Sequence, residues 1–561
     1  MGIKLKFIFL PGKTVLANSA SRKNKEENNN QLPNILLILC LMLWSSFLVA
    51  QTGEPDKNVQ YKKQNRDAIA DIVDGNVEKA IGHFTAYLEQ HPGDLESLYG
   101  LSVAYSAKKD PERAMEFARQ AIEQGMPVER FLAGPRNLLT SLLDSQKFSS
   151  YIEGRYKRLI HGPMLGNFTD TQANIWVRTH KASEVKVNVM DEKDHVMSFK
   201  ASSGPKTDYT AVITATGLKP GTTYSYQVYV DNSLFFEDGS FKTFEREKEE
   251  IKLKLGFGGG AGYTPWNERM WDTLSTHKLD AFLLLGDNVY IDNPTRPEVQ
   301  QYTYYRRQSR PEFRRFVSKT PVYAIWDDHD FTVNDGEGGP EIDFPTWKRP
   351  VWNLFKNQWN NPYYGGGDEN PGVWSDFSIG DVDFFMLDSR YYRENPQTTS
   401  NPSMLGEFQK KWLKEKLSSS SATFKVIVSA VPWAHGTKPG SDDTWDGFPQ
   451  EREEIFSFIE DSEIEGVVLL SADRHRSDAW KIERPEGYDL YDFMSSKLTN
   501  VHTHEIMPES IFGYNDSCSF GMLEFNTTLD DPKISYSIYS IENELVHKIT
   551  LLKSQLMHVR N

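Results

Sequence analysis

The sequence predicts a multidomain protein: a large α/β unit preceded by a β-sandwich and a short α-helical repeat segment. Three observations lead there. At 561 residues the chain is too long for one compact core. From Leu253 onward, buried-strand runs alternate with helical patterns, whereas Leu159 to Phe244 reads as short alternating strands. Ahead of both, Asp67 to Leu143 has helical periodicity.

Residues 1–50 are expected to form a signal peptide or an N-terminal anchor. Ile35 to Val49 is an apolar run of about fifteen residues, short for a membrane span and suited to a signal-peptide core. Ala50 supplies a small residue at a cleavage point and Leu48 fits the −3 position poorly, so cleavage and retention both stay open. Either way the chain is expected to be exported, to the periplasm or beyond, with a membrane contact only through this segment if it is retained. Of the two cysteines, Cys40 lies inside the apolar run and Cys518 is distant, so the mature chain has no internal disulfide and no Cys/His zinc spacing.

Residues 60–150 carry a 34-residue echo: Ala80, Phe84 and Pro92 are answered by Ala114, Ala118 and Met126–Pro127, with Leu98, Leu101 and Tyr105 between. This resembles tetratricopeptide hairpins. Fewer than three repeats make a poor solenoid, so the segment reads as a spacer packed on the rest of the chain, with a peptide-binding groove as the alternative.

Residues 159–245 contain strands at Ala173–Arg178, Val185–Met190, Tyr209–Ala215, Tyr224–Val230 and Gly239–Thr243. The run Gly217 to Tyr226 is a corner followed by a strand with aromatic anchors. It resembles the fibronectin type III or immunoglobulin-like sandwich, in which a tyrosine hydroxyl ties down the corner.

The α/β unit, residues 250–555, is predicted from strands at Leu253–Phe257, Ala281–Leu285, Val322–Trp326, Val382–Leu387, Lys425–Ser429 and Gly466–Leu470. Further β structure is expected at Ser519–Phe525 and Lys533–Leu551. A net charge of −15 and the absence of a basic stripe after the first 30 residues argue against nucleic acid as a partner.

The ends of those strands concentrate chemistry. Ala281–Leu285 runs into Gly286-Asp287-Asn288-Val289-Tyr290, Val322–Trp326 into Asp327-Asp328-His329-Asp330, Val382–Leu387 into Asp388-Ser389-Arg390, and Gly466–Leu470 into Ser471-Ala472-Asp473-Arg474-His475. Ligands of α/β sheets bind at the carboxyl edge of the strands. Taken singly, a Gly-Asp is a turn, an Asp-Arg pair a salt bridge, and a histidine a cap. Their joint occurrence points to a pair of cations, which neutralises phosphoryl oxygens and activates a water to a hydroxide nucleophile. Asp287 suits the bridging carboxylate, Asp328 and Asp473 the oxygen ligands, and His475 an imidazole ligand. His329 suits the acid or phosphate holder, and Arg390 a fork for phosphoryl oxygens. Further candidates beside them are Asp327, Asn334, Asp388 and His435.

GDNVY, WDDHD, LDSR, SADRH and the later Ser495-Ser496-Lys497-Leu498-Thr499 resemble PhoD-type alkaline phosphatases of the calcineurin-like metallophosphoesterase superfamily, over roughly Leu253 to Phe525. The resemblance implies a four-layer α/β/β/α sandwich and an enzyme that hydrolyses small phosphomonoesters or phosphodiesters. It also implies two metal ions, Ca²⁺ with Fe³⁺ or another transition metal. Carried over, Asp287 bridges, Tyr290 binds iron, Asp328 takes the asparagine position of the wider superfamily, His329 lies next to the phosphate, and Asp473 and His475 each serve one metal.

One departure stands out. Where the family has a cysteine ligand after the first strand, this chain has Phe257-Gly258-Gly259-Gly260-Ala261-Gly262, with Gly260 at the cysteine position. Two other classes follow from that segment. One is an exported binding or scaffold protein with a degenerate phosphatase domain. The other is a dinucleotide site, since Gly256-x-Gly258-x-x-Ala261 formally fits that fingerprint, although Pro265 interrupts the helix it needs.

Overall fold

The computed structural model describes residues 64–156 and 159–558. The expected signal or anchor segment and Cys40 lie outside these. Among the described residues no helix is long and apolar enough to cross a membrane.

Seven helices open the described chain: α1 (Gln64–Val73), α2 (Val77–Gln90), α3 (Leu95–Ala107), α4 (Pro111–Glu123), α5 (Val128–Ala133), α6 (Thr140–Leu143) and α7 (Gln146–Ile152). Asp94 caps α3 by accepting from the Ser97 N–H at 2.7 Å, and Asp110 caps α4 by accepting from Arg113 at 3.1 Å. Ala80, Phe84, Ala114 and Ala118 are all buried, which accounts for the echo in the sequence.

Two antiparallel sheets follow. Strands β1 (His161–Gly166), β2 (Gln172–Arg178) and β5 (Thr210–Thr216) form one, in the order β1-β2-β5. The other is β4-β3-β6-β7, from β3 (Ser183–Met190), β4 (Val196–Ser203), β6 (Thr223–Val230) and β7 (Ser233–Lys242). The Tyr224 hydroxyl accepts from the Lys219 N–H at 2.9 Å and fixes the corner. β1 and β4 escape sequence reasoning. β4 pairs through β3 at the edge of its sheet and is half-exposed, so its apolar alternation is weak.

The α/β unit holds two larger sheets. The first, in the order β10-β9-β8-β18-β19-β20, comprises β8 (Lys252–Gly258), β9 (Ala281–Leu285), β10 (Val322–Ile325), β18 (Ser519–Asn526), β19 (Lys533–Ser540) and β20 (Leu545–Leu552). The predicted stretch Lys533–Leu551 is thus a hairpin of two strands turning at Ile541–Glu544. The second sheet, β11-β12-β13-β14-β16-β15-β17, comprises β11 (Ser375–Ile379), β12 (Val382–Met386), β13 (Phe424–Val428), β14 (Val467–Ser471), β15 (Ser477–Ile482), β16 (Leu490–Ser495) and β17 (Phe512–Tyr514). Strands β8, β9 and β10 are parallel, as are β12, β13, β14 and β16.

The two sheets pack on each other. Phe493 stacks on Tyr536 with ring centroids 4.5 Å apart, and the Tyr536 hydroxyl donates to the Met494 carbonyl at 2.8 Å. Phe525 meets Phe384 and Phe424 across the same interface. Helices flank the pair: α8 (Met270–Ser275), α9 (Pro297–Gln308), α10 (Pro311–Val317), α11 (Asp328–Phe331), α12 (Lys348–Lys356), α13 (Gly406–Ser419) and α14 (Pro449–Asp461). Trp271 of α8 and Phe316 of α10 pack on Phe282 of β9. The result is an α/β sandwich with multiple sheets.

The helical segment packs on α9. The Tyr302 hydroxyl donates to Glu96 at 2.7 Å, Arg130 donates to the Tyr302 carbonyl at 3.2 Å, and Asn137 donates to Glu298 at 2.7 Å. Arg296 grips Asp74 through two hydrogen bonds of 2.8 and 2.9 Å.

Candidate metal centre

The loops that leave β9, β10, β14 and β16 converge at the carboxyl edges of both sheets. Asp287, Asp473 and His475 all adopt positive φ (52°, 63° and 48°). This left-handed conformation is costly for any side chain, though Asp and His tolerate it better than most. Such strain persists where the surroundings impose it, and it collects at functional sites.

Oxygen atoms of Asp287 and Asp328 and a ring nitrogen of His329 lie within 4.8 Å of one another, and all three residues are buried. Both carboxylate oxygens of Asp287 are shut off from solvent, and neither makes a hydrogen bond of good geometry. The Tyr290 phenol interacts with it and with Asn500. Burial pushes the Asp287 carboxyl well above its usual range; His329 opposes that, and Asp328, Asp327 and Asp330 add to it. Burial, with Asp287 next, likewise raises the Tyr290 phenol. A buried carboxylate with unused lone pairs, pressed against other carboxylates, is stabilised by a cation. The donor set of carboxylates, phenol and imidazole fits a hard or borderline metal ion.

Asp473 sits near enough to raise the Asp327 carboxyl, a shift led by burial. His475 is buried, its ring 6.4 Å from that of Tyr290, which in turn lies 4.4 Å from His329. Of the predicted set, Asp287, Asp328 and His329 lie within ligand distance of one another, with Tyr290 beside them, while Asp473 and His475 lie outside that group.

The side chains around this set orient it. Asp328 accepts from the N–H groups of His329 (2.8 Å) and Asp335 (2.6 Å). Asp292 holds Nδ1 of His329. Burial lowers the tendency of His329 to carry a proton, but Asp328, Asp287 and Asp292 outweigh it and bring the ring up to about 10. Asp330, which sequence reasoning passed over, stitches two site loops together. It accepts from the N–H groups of Asp327 (3.1 Å), Asn288 (3.2 Å) and Val289 (3.1 Å), and burial lifts its carboxyl to about 7. The repeated acids of WDDHD were its only signal.

Several expectations are corrected. Arg390 is not a free fork for phosphate. It is fully buried, with Nε on Asp327 at 2.5 Å and Nη1 on Asp443 at 2.7 Å and on the Gly336 carbonyl at 3.2 Å. Asp388 is a loop cap, accepting from Trp326, Val373, Arg390 and Tyr391. His435 leaves 84% of its side chain in solvent and bonds Asp446 at 2.8 Å. Asn334 is exposed. Asp327 gives one oxygen to Arg390 and keeps the other buried without a hydrogen bond. The neighbouring acids Asp335 and Asp443 are answered by Lys438 at 2.9 and 3.1 Å.

The glycine run has a packing cause. At Gly260 φ is +66°, and a Cβ there would stand 3.0 Å from the Lys497 nitrogen and from Ser496 Oγ. At Gly259 it would come within 2.7 Å of Ala472 Cβ. The run threads between the Asp287 and Lys497 loops, its N–H groups donating to the carbonyls of Ser495, Gly286 and Asp287. That threading, with β8 paired to antiparallel β18, removes the dinucleotide reading. The loop after Lys497 brings two histidines that the sequence reading missed. His502 and His504 lie 5.1 and 5.6 Å from His475 by ring centroid, and burial, aided by Arg474, lowers His504 to about 4. The Val-His-Thr-His alternation following the Ser-Ser-Lys motif was the available clue.

Fold and rim together define a class: a two-sheet α/β sandwich with an acid-imidazole cluster that could hold a metal ion. Residues 255–517 match the family model for PhoD-like phosphatases. Residues 156–245 match a domain of unknown function (DUF7800). A curated relative, alkaline phosphatase D of Bacillus subtilis (strain 168), is 24% identical over 322 residues, 49% of this chain and 54% of the relative. The match thus spans about half the relative's length. A structure of PhoD is similar in fold, with a TM-score of 0.57 and 18% identity over 68% of this chain and 91% of that one. Purple acid phosphatase PPD1 from yellow lupin (Lupinus luteus) seeds follows at 0.52 and 10% identity, over 70% and 75%. Together these likenesses show the fold that this chain shares with PhoD and with a purple acid phosphatase.

Proposed function

We propose that the chain is an exported hydrolase of small phosphomonoesters or phosphodiesters, with Asp287, Tyr290, Asp328, Asp473 and His475 holding two metal ions. One observation carries this reading: the buried Asp287 carboxylate, without a well-formed hydrogen bond, faces Asp328 and His329 within ligand distance. Ca²⁺ paired with Fe³⁺ or another transition metal is the pair that the family resemblance favours. When bound, the cations supply Lewis acidity, offsetting phosphoryl charge and lowering the pKa of the attacking water.

The chain's own residues do the rest. Asp287 and Asp328 would hold the cations that offset the charge of the phosphoryl oxygens. His329, held through Nδ1 by Asp292 and close to the Asp287 and Asp328 carboxylates, suits the acid that gives a proton to the leaving oxygen. Tyr290 between Asp287 and Asn500 supplies a phenolic oxygen at the same rim. Arg390 holds Asp327 in place rather than touching substrate.

Export is supported by the apolar run Ile35 to Val49. The segment 60–150 serves this reading as a helical unit docked on the catalytic part, and 159–245 as a sandwich domain ahead of it. A degenerate, non-catalytic scaffold is the poorer reading, because unpaired buried carboxylates cost stability unless a ligand repays it.

The test is turnover by the purified chain of a chromogenic phosphomonoester and a chromogenic phosphodiester, with and without a chelator. Hydrolysis of at least one, abolished by chelation and restored by metal, is expected. No turnover of either at any metal supplement would refute the reading.

A further inference from the structure

The helical segment delivers a side chain into the site. Arg66, at the start of α1, is buried with its Nη1 on Asp292 Oδ2, and the same nitrogen reaches the Tyr290 carbonyl at 3.3 Å. The other oxygen of Asp292 holds His329 Nδ1. The backbone supports this arrangement, with the Ile291 N–H donating to the His329 carbonyl at 2.9 Å. Asp292 itself has a φ of +47°, so its carboxylate is held in an unfavourable backbone conformation by these partners. Residues 64–152 lie outside both matched family spans, 156–245 and 255–517, so Arg66 reaches the site from a part of the chain that neither span includes.

We propose that Arg66 is a positioning residue of the phosphoester site: by fixing Asp292 it fixes the ring of His329, so the helical segment is a working part of the catalytic unit. The inference rests on the phosphoester reading for its kinetic consequence and on geometry alone for its structural one. A carboxylate gripped on one side by a guanidinium has one orientation left for the imidazole on the other, and a misplaced acid costs rate far more than binding. Other contacts of the segment serve docking: Glu96 and Arg130 meet Tyr302 in buried hydrogen bonds, and Asp74 meets Arg296 at the surface.

The test uses the full chain in four forms: wild type, Arg66→Ala, Arg66→Lys and the docking control Asp74→Ala. Two readouts are taken: kcat and KM on a chromogenic phosphoester, and the rate at which diethylpyrocarbonate modifies His329, followed by peptide mass spectrometry. Arg66→Ala is expected to lower kcat about 10- to 100-fold with KM changed less than about 3-fold, and to speed His329 modification. Arg66→Lys should recover most of both, and Asp74→Ala should match wild type in both. Equal effects from Arg66→Ala and Asp74→Ala, or wild-type kcat and His329 reactivity in Arg66→Ala, would overturn the proposal. Should the wild type show no turnover, the phosphoester reading fails, while the modification rates still decide whether Arg66 fixes His329.

Discussion

Asp327 and Asp328 are consecutive carboxylates at the end of β10 with opposite fates. Asp327 turns one oxygen into Arg390 at 2.5 Å, in a pair with no solvent access. Asp328 takes N–H donors from His329 and Asp335 and faces Asp287. The N-cap of α11 is thus an acid neutralised by the protein, and the first residue of that helix is one left for a cation.

Replacing Arg390 by alanine should act on folding. It strands Asp327 as a buried, unpaired charge, while Asp443 keeps Lys438 and Arg393, a loss of about 3–5 kcal/mol. Denaturant unfolding of Arg390→Ala should show that loss, with KM on a phosphoester little changed in whatever folded fraction remains. A large rise in KM at wild-type stability would return Arg390 to the role of a phosphate fork.

Installing the family's cysteine should not install its metal site. Gly260→Cys forces a Cβ into a left-handed position that favours glycine, against the Lys497 backbone, at a cost of about 1–2 kcal/mol. A lower melting temperature with no gain in bound iron is expected. Unchanged stability with added iron would show that the loop accommodates a ligand there.

Asp330 should make stability depend on pH in a defined direction. Its folded carboxyl sits at about 7, against about 3.9 when unfolded. Between those values the unfolded chain has released the proton and the folded chain retains it. Stability therefore falls as pH rises from about 4 to about 7, with a slope of about 1.4 kcal/mol per pH unit at most. In metal-free protein, wild type should lose ground against Asp330→Asn between pH 5 and pH 7.5 in paired unfolding curves. A gap independent of pH would contradict the assignment.

Much of the fold was legible because strand burial leaves a plain trace. Ala281–Leu285 is five buried apolar residues, predicted and found with the same ends. The loops after β9, β10 and β14 were legible because metal ligands are few in kind and lay directly after such strands. What escaped was whatever depends on partners distant in sequence. Arg390 reads as a phosphate fork until Asp443, 53 residues on, is seen beneath it. Asp292 and Arg66 are unremarkable charges until 226 residues of chain bring them together. The glycine run looked like a nucleotide loop because the reason for its glycines, the Lys497 loop, lies over 230 residues away.

The buried Asp287 carboxylate is the group proposed to bridge two metal ions. Elemental analysis of purified wild type and Asp287→Asn, with turnover measured on the same samples, tests that role most directly. Two metal equivalents with activity are predicted for the wild type. The variant should bind less metal and lose at least about 100-fold in kcat, the scale of one lost electrostatic stabiliser, at undiminished folding stability. An active wild type free of metal, or a variant with full metal content and full turnover, would contradict the claim.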